Sequence, residues 1–569
     1  MLNLCIHKGL TKLLKKWLLP IIGVALMLIY YVVNMQLPPA NSVQLQQHFR
    51  YKVILIPLDS RPPCKKMVID AGKMAGIEII TPPTEIMDYY TQKGDTKAIQ
   101  AWLMDNIDKS DGAIISIDQI LHGGLLASRE SQTKPEEITA LIDFLTKLRQ
   151  KAPDKPIYAF NILPRITPPP TLNSDSKKII KISRLIDEIA TFNNIDDIKT
   201  LQDVRADIKE EDLSTYLNLF KRNTALNKDL INLTQNQILT KFVIGQDDGE
   251  DFGVPNMEKK ALTNYLHSPN ITNDKVMLTK GADEVALSLL ASFVQTKNHY
   301  TSPKVYVAYN DEEAIGTIMP FMAGSVGSTV KEKLTLANAI EVNSPDKAGL
   351  ILYVYIGNDN TLQSRRKAAI QIKNYLAQGK KIALIDLSKH FLATETLFPE
   401  LLKQDVPINE LTAYAGWNTA SNSIGTALAN AIIYKASRPE VNTTNDILAL
   451  EFNRVTLLYN RYLEDYYYLK DIIDTINITL HNHNYPNEND LDLQHNYRWV
   501  NMLLQNSMDK RADYLWRTKA AQTPFTVQTP EGNYYLTIRY LKAETYFPWP
   551  RTFEIYLDAK LNLYRLPHN

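Results

Sequence analysis

Asp247 and Asp248 stand side by side where the apolar run FVIG gives way to QDDGEDFG. Close like charges raise the pKa of one carboxyl, which leaves a general acid beside an ionised partner. That pairing suits glycosidic cleavage. The same carboxylates suit a hard cation, Mg²⁺ or Ca²⁺, with Asp59 or Asp118 as further oxygen ligands. Side chains alternate along a strand, so both aspartates face one pocket only if the chain turns there. A second acidic pair, Asp283 and Glu284, follows Gly281 in KGADEVALSLLASF. Acidic residues stabilise the first turn of a helix, and Glu284 is also a candidate acid or base.

Three further stretches carry binding chemistry. In LDSRPPCKK, Arg61 is placed to clamp an anionic or hydroxylated ligand and Asp59 to orient it. In IDQILHGGLLASRE, Asp118 is followed by Gly123 and Gly124, which permit close backbone approach. In AYAGWNTASNSIGTALANA, Trp417 is a stacking face for a sugar, and Asn418 and Asn422 are partners for its hydroxyls. Each has a plainer use: a helix cap, an Asp–Arg pair stiffening a loop, a packed Trp or a satisfied Asn. His122 has no partner at ligand spacing and reads as structural. No GxGxxG or GxxxxGK motif is present, so nucleotide binding is not supported.

Short β-branched runs alternate with helix-length amphipathic stretches from residue 51 onward. This predicts a mainly parallel α/β protein whose strands are covered on both faces. Several runs end in a polar residue: Asp59, Asp118, Asp247–Asp248, Asp311, Asp386 and Asn418. Sites in such folds gather at the carboxyl ends of the strands. Nine or ten strands fit a TIM-like barrel or two Rossmann-like lobes, and the barrel is slightly preferred. Residues 164–240 read as a helical insertion within an α/β domain at 51–440. Residues 441–569 read as an α+β module, with a Tyr-rich packing helix followed by antiparallel strands. No internal repeat is evident.

The 569 residues carry 63 Lys+Arg against 62 Asp+Glu, a net charge of +1. That balance gives no whole-protein field for nucleic acid. Two cysteines make no disulfide framework, and no CxxC zinc pattern occurs. Residues 17–35 are uncharged and apolar, long enough at about 1.5 Å per residue to cross a hydrocarbon core. Lys8, Lys12, Lys15 and Lys16 precede them, so the expectation is a basic cytoplasmic tail (1–16), an uncleaved signal anchor (17–35) and a linker (36–50). Ala40 after Pro38–Pro39 is a poor cleavage site. The bulk is then expected outside a bacterial cell, attached by one span.

The stretches IPLDSRP, ISIDQILHGGLLASR, QDDGEDFG, GADEVA, AYAGWNTASNSIGTALA, YLEDYYYLKDI and FPWPRTFEI occur in this order over about 51 to 560. Together they resemble a bacterial family known only as domain of unknown function 4127. The resemblance marks Asp59, Arg61, Asp118, Gly123, Gly124, Asp247, Asp248, Asp283, Glu284, Trp417, Asn418 and Asn422 as motif positions and assigns none a role. The chain departs from many relatives in its apolar N-terminal segment, and in His122 where an aromatic residue commonly precedes the glycine pair. QDD and GWN are also similar in type to the paired aspartates and later Trp and Asn of barrel β-N-acetylhexosaminidases, an analogy at fold level only.

The expectation is a membrane-anchored, extracellular carbohydrate-active hydrolase of glycosidase type, needing no cofactor, with a glycan or small polyhydroxylated substrate. Its rivals are a metal-dependent hydrolase or isomerase and a non-enzymatic glycan-binding surface protein.

Overall fold

A computed structural model describes residues 42–130, 133–268, 271, 275–357, 362–485 and 490–567. The chain is α/β with mainly parallel strands, as the alternating pattern predicts. The first lobe is a six-stranded parallel sheet built from β1 (Tyr51–Ile56), β2 (Ile77–Ile80), β3 (Gly112–Ser116), β4 (Ile157–Leu163), β5 (Lys241–Gln246) and β6 (Val276–Lys280). Its order is β2-β1-β3-β4-β5-β6. The second lobe holds β7 (Lys304–Tyr309), β8 (Ile340–Glu341), β9 (Leu350–Gly357), β10 (Ile382–Ser388) and β11 (Ala413–Ala415), in the order β11-β10-β9-β7-β8. The preferred barrel is therefore replaced by its alternative, two open lobes. The strands pair within two separate sheets, and neither closes on itself.

Read from its β8 edge, the second sheet repeats the first five positions of the other sheet: second strand, first, third, fourth, fifth. This is the doubly wound order whose ligand crevice opens where the strand order reverses, beside the first strand. The repeat is one of topology, and no sequence repeat betrays it.

Burial explains the continuous apolar runs. β3, β4, β9 and β10 are buried at every position. Two helices, Val285–Lys297 and Ala420–Ser437, lie between the lobes. Their apolar and small residues form one core with the inner faces of both sheets. Neither has a charged outer face, as expected of a helix buried all round. The outer face of the first sheet packs on Ile99, Leu145 and Leu230. The outer face of the second joins the C-terminal residues through Tyr459, Tyr462 and Tyr468.

The insertion is helical: Ser176–Phe192, Ile195–Ala206 and Glu210–Gln235 surround their own small core. Near the C-terminus a helix runs from Thr444 to Asn482, wound as a π-helix over Tyr462–Ile472. An antiparallel sheet of β12 (Phe525–Thr529), β13 (Gly532–Tyr546) and β14 (Tyr556–Arg565) follows.

The membrane expectation needs correction. Among the described residues no helix is long and apolar enough to cross a membrane. Glu210–Gln235 and the helix from Thr444 to Asn482 are both interrupted by charged residues, and Ala420–Ser437 is buried inside the protein. The span expected at 17–35 lies outside the described residues. The single-pass membrane location and the membrane as a partner are thus not supported.

Candidate active site at the strand ends

A cavity of about 270 Å³ opens at the carboxyl ends of the first sheet. Its polar wall is Asp59, Arg61, Arg129, Arg165, Asp247, Asp248, Asp283, Asn418 and Arg551, and Trp549 and Phe553 close one side. Each part comes from a different strand end. Asp59 and Arg61 follow β1, Arg129 rides the helix Leu125–Glu130 after β3, and Arg165 follows β4. β5 stops at Gln246, and the chain then turns, so Asp247 and Asp248 both line the cavity. Asp283 follows β6, and Asn418 follows β11 of the other lobe.

Arg61 is the fixed centre of the floor. Its Nε donates to both oxygens of Asp59, at 3.0 and 2.9 Å, and a terminal nitrogen donates to Asp283 Oδ1 at 2.8 Å. Burial works against the guanidinium charge, but Asp283 and Asp59 outweigh it and raise its pKa further. Burial raises the Asp283 pKa, with Arg61 opposing. Asn418 sits in the left-handed region at φ 45°, which Asn tolerates better than most residues. From there its Nδ2 reaches Asp283 Oδ2 at 3.4 Å. The loop before it is tied by Asp465 of the π-helical segment, which accepts from the Gly416 N–H at 2.8 Å.

The two adjacent aspartates are differentiated. Arg129 donates to Asp247, and Arg165 lies 3.6 Å from Asp248. Burial alone would raise the Asp247 pKa, but Arg129 and Arg165 pull it below the ordinary carboxylate range. Burial and then the charge of Asp247 push Asp248 up to about 6. The site thus holds one firmly ionised carboxylate next to one that keeps its proton up to about pH 6. The Nε atoms of Arg129 and Arg165 are buried without a hydrogen-bond partner.

Other sequence candidates lie elsewhere. Glu284 points into the core between the lobes, where Lys333 donates to it. Gly425 permits this: a Cβ there would stand 2.5 Å from Glu284 Cγ. Asp118 is buried behind the cavity and accepts from the Ile162 N–H at 3.0 Å; burial raises it to about 7. Gly123 has φ 85°, and a Cβ there would meet Gly94 O at 2.7 Å. Gly124 lies against Asp88. The glycine pair therefore packs a turn and does not line the cavity. Trp417 is a core residue whose Nε1 donates to Thr426 at 3.3 Å. Asn422 accepts from the Ala282 N–H at 3.2 Å and so positions the Asp283 loop.

The cavity's tryptophan is instead Trp549, which sequence reasoning missed. Its Nε1 donates to Ser60 at 3.0 Å, and Arg61 and Arg551 lie over its ring. Pro548 and Pro550 flank it, a signal visible within FPWPRTFEI. Arg165, in NILPRITPPP, was equally legible as a cation just past a buried strand. Among the described residues no group of three or more His, Cys, Asp or Glu is arranged to hold a metal ion. Within the cavity, Asp59 is already engaged by Arg61, and Asp247 by Arg129.

The molecule is thus a two-lobed, doubly wound α/β protein with an arginine-held carboxylate cluster at its strand ends. The chain belongs to the family described as "Protein of unknown function (DUF4127)", whose model matches residues 53–558. No curated protein matches it.

Proposed function

We propose that the protein is a carbohydrate-active hydrolase that cleaves a glycosidic bond by acid catalysis. The observation that carries this reading is that Asp247 and Asp248 both line one polar cavity, the first engaged by Arg129 and the second 3.6 Å from Arg165, an arrangement in which burial and Asp247 push Asp248 up to about 6. Asp248 in its acid form gives its proton to the glycosidic oxygen as the C–O bond breaks. The ionised Asp247 faces the positive charge that develops on the sugar ring. Water adds to the anomeric carbon, and its proton returns to Asp248. Phe553, exposed beside the buried Trp549, offers an apolar face to the sugar, and Trp549 backs Arg61 and Arg551. Arg61 and Arg165 offer donors to hydroxyl or acidic groups.

The reading is tested by incubating the full chain with a panel of oligosaccharides and measuring released reducing ends, with and without EDTA. Turnover that survives EDTA supports acid catalysis without a bound cation. Turnover abolished by EDTA overturns it in favour of metal-dependent chemistry. Saturable glycan binding without turnover overturns it in favour of a binding protein.

A further inference from the structure

A second cavity, of about 340 Å³, lies at the opposite end of the first lobe, where β4, β5 and β6 begin. Lys241 and Lys275 line it, and no described aspartate or glutamate does. Lys241 is half-buried. Its Nζ donates to Ser292 Oγ at 3.0 Å and to Leu336 O at 3.3 Å, and it has no ion pair among the described residues. An ammonium has three donors, so one is left over. Withdrawing a cation from water without a counter-charge is costly, and here partial burial pulls the Lys241 ammonium down to about 8.

The rest of the wall is rich in neutral donors. Tyr300, Thr301 and Asn338 line it, and their side chains make no hydrogen bond among the described residues. Two cations, no carboxylate and several uncommitted donors together describe a site complementary to an oxyanion. The volume falls in the range of about 300–1,000 Å³ typical of small-molecule sites. A bare phosphate leaves part of that space open, and the remaining walls suit hydroxyl groups.

We propose that this cavity binds a phosphate group, free or on a small polyhydroxylated molecule, with Lys241 and Lys275 on the phosphate oxygens. The site is remote from the strand-end cavity and does not depend on the hydrolase reading. It also spans the seam of the molecule. Lys241 begins β5 of the first lobe, whereas Thr335 and Asn338 belong to the second. A ligand here ties the lobes together.

The test is calorimetric titration of the full-length protein with inorganic phosphate and with glycerol 3-phosphate at constant ionic strength. The expected result is saturable binding at one site, weakened at least tenfold in Lys241→Met and in Lys275→Met. Lys275 is exposed, so its variant remains a test should Lys241→Met not fold. Binding at pH 8 should also take up protons, because a bound anion favours the charged form of Lys241. Tighter binding of glycerol 3-phosphate assigns the site to a phosphomonoester, and equal affinities assign it to free phosphate; either keeps the oxyanion site. No saturable binding of either ligand, or wild-type affinity in both variants, overturns it.

Discussion

Asp247 and Asp248 leave the same strand end but are held by different arginines, Arg129 on the first and Arg165 on the second. The division separates two residues that a formula would treat as equivalent. Arg129 engages Asp247 closely enough to overcome burial. Arg165 stands off at 3.6 Å, and burial with the neighbouring charge prevails at Asp248.

This arrangement fixes a pH dependence. If protonated Asp248 is the acid, kcat/KM falls as pH rises through about 6. Asp247→Asn removes the negative neighbour that helps hold the proton on Asp248. The alkaline limb of the profile should therefore move to lower pH. A profile of kcat/KM against pH for both proteins checks this. An unmoved limb would mean that the titrating group is not Asp248.

Glu284 and Lys333 form a buried ion pair between the lobes. Breaking such a pair from one side costs about 3–5 kcal/mol. Glu284→Gln and Lys333→Met should each destabilise by that order in denaturant unfolding. Glu284→Leu combined with Lys333→Met should recover part of the loss, because no lone charge remains buried. A stable, inactive Glu284→Gln would instead assign Glu284 to the chemistry.

Asp118 makes a prediction of opposite sign to a salt-bridged carboxylate. Its folded pKa is raised to about 7 by burial. The folded state thus binds the proton more tightly than the unfolded state, and this contribution to stability falls as pH rises from about 4 to 7. In Asp118→Asn the side-chain carbonyl still accepts from the Ile162 N–H, but no charge forms. The variant should match the wild type at pH 4 and exceed it in stability at pH 8. Chemical denaturation at the two pH values measures the difference.

Trp549 should act on binding more than on chemistry. Trp549→Phe keeps a ring behind Arg61 and Arg551 but removes the hydrogen bond to Ser60, so it loosens the wall that positions those donors. The expected result is KM raised about tenfold with kcat nearly unchanged. The corresponding change at Trp417, Trp417→Phe, should alter stability and leave KM alone.

The contrast between those tryptophans marks what could be read in the chain. The α/β class was legible because strands buried on both faces are written as continuous apolar runs. Among the acids of the first lobe, Asp59 and Asp247 were legible because they stand just past apolar strands, and Asp283 because it belongs to an acidic pair after Gly281. The same rule misleads in the second lobe. Asp386 accepts from the Leu397 and Phe398 N–H groups and from Tyr414, and Asp311 caps a short helix. Both are local hydrogen-bonding solutions that look identical in sequence. Two lobes rather than a barrel could not be read from strand count, since closure depends on which strands pair. Trp549 was hidden by distance: it returns to Ser60 across 489 positions of sequence.

The role proposed for Asp248 is to donate the proton in glycoside cleavage. Release of reducing ends by the wild type and by Asp248→Asn, on the same oligosaccharide and at pH 5.5, tests it most directly. Turnover should fall about 10²–10⁴-fold in the variant, with unchanged thermal unfolding and substrate affinity. Wild-type rates in Asp248→Asn would contradict it.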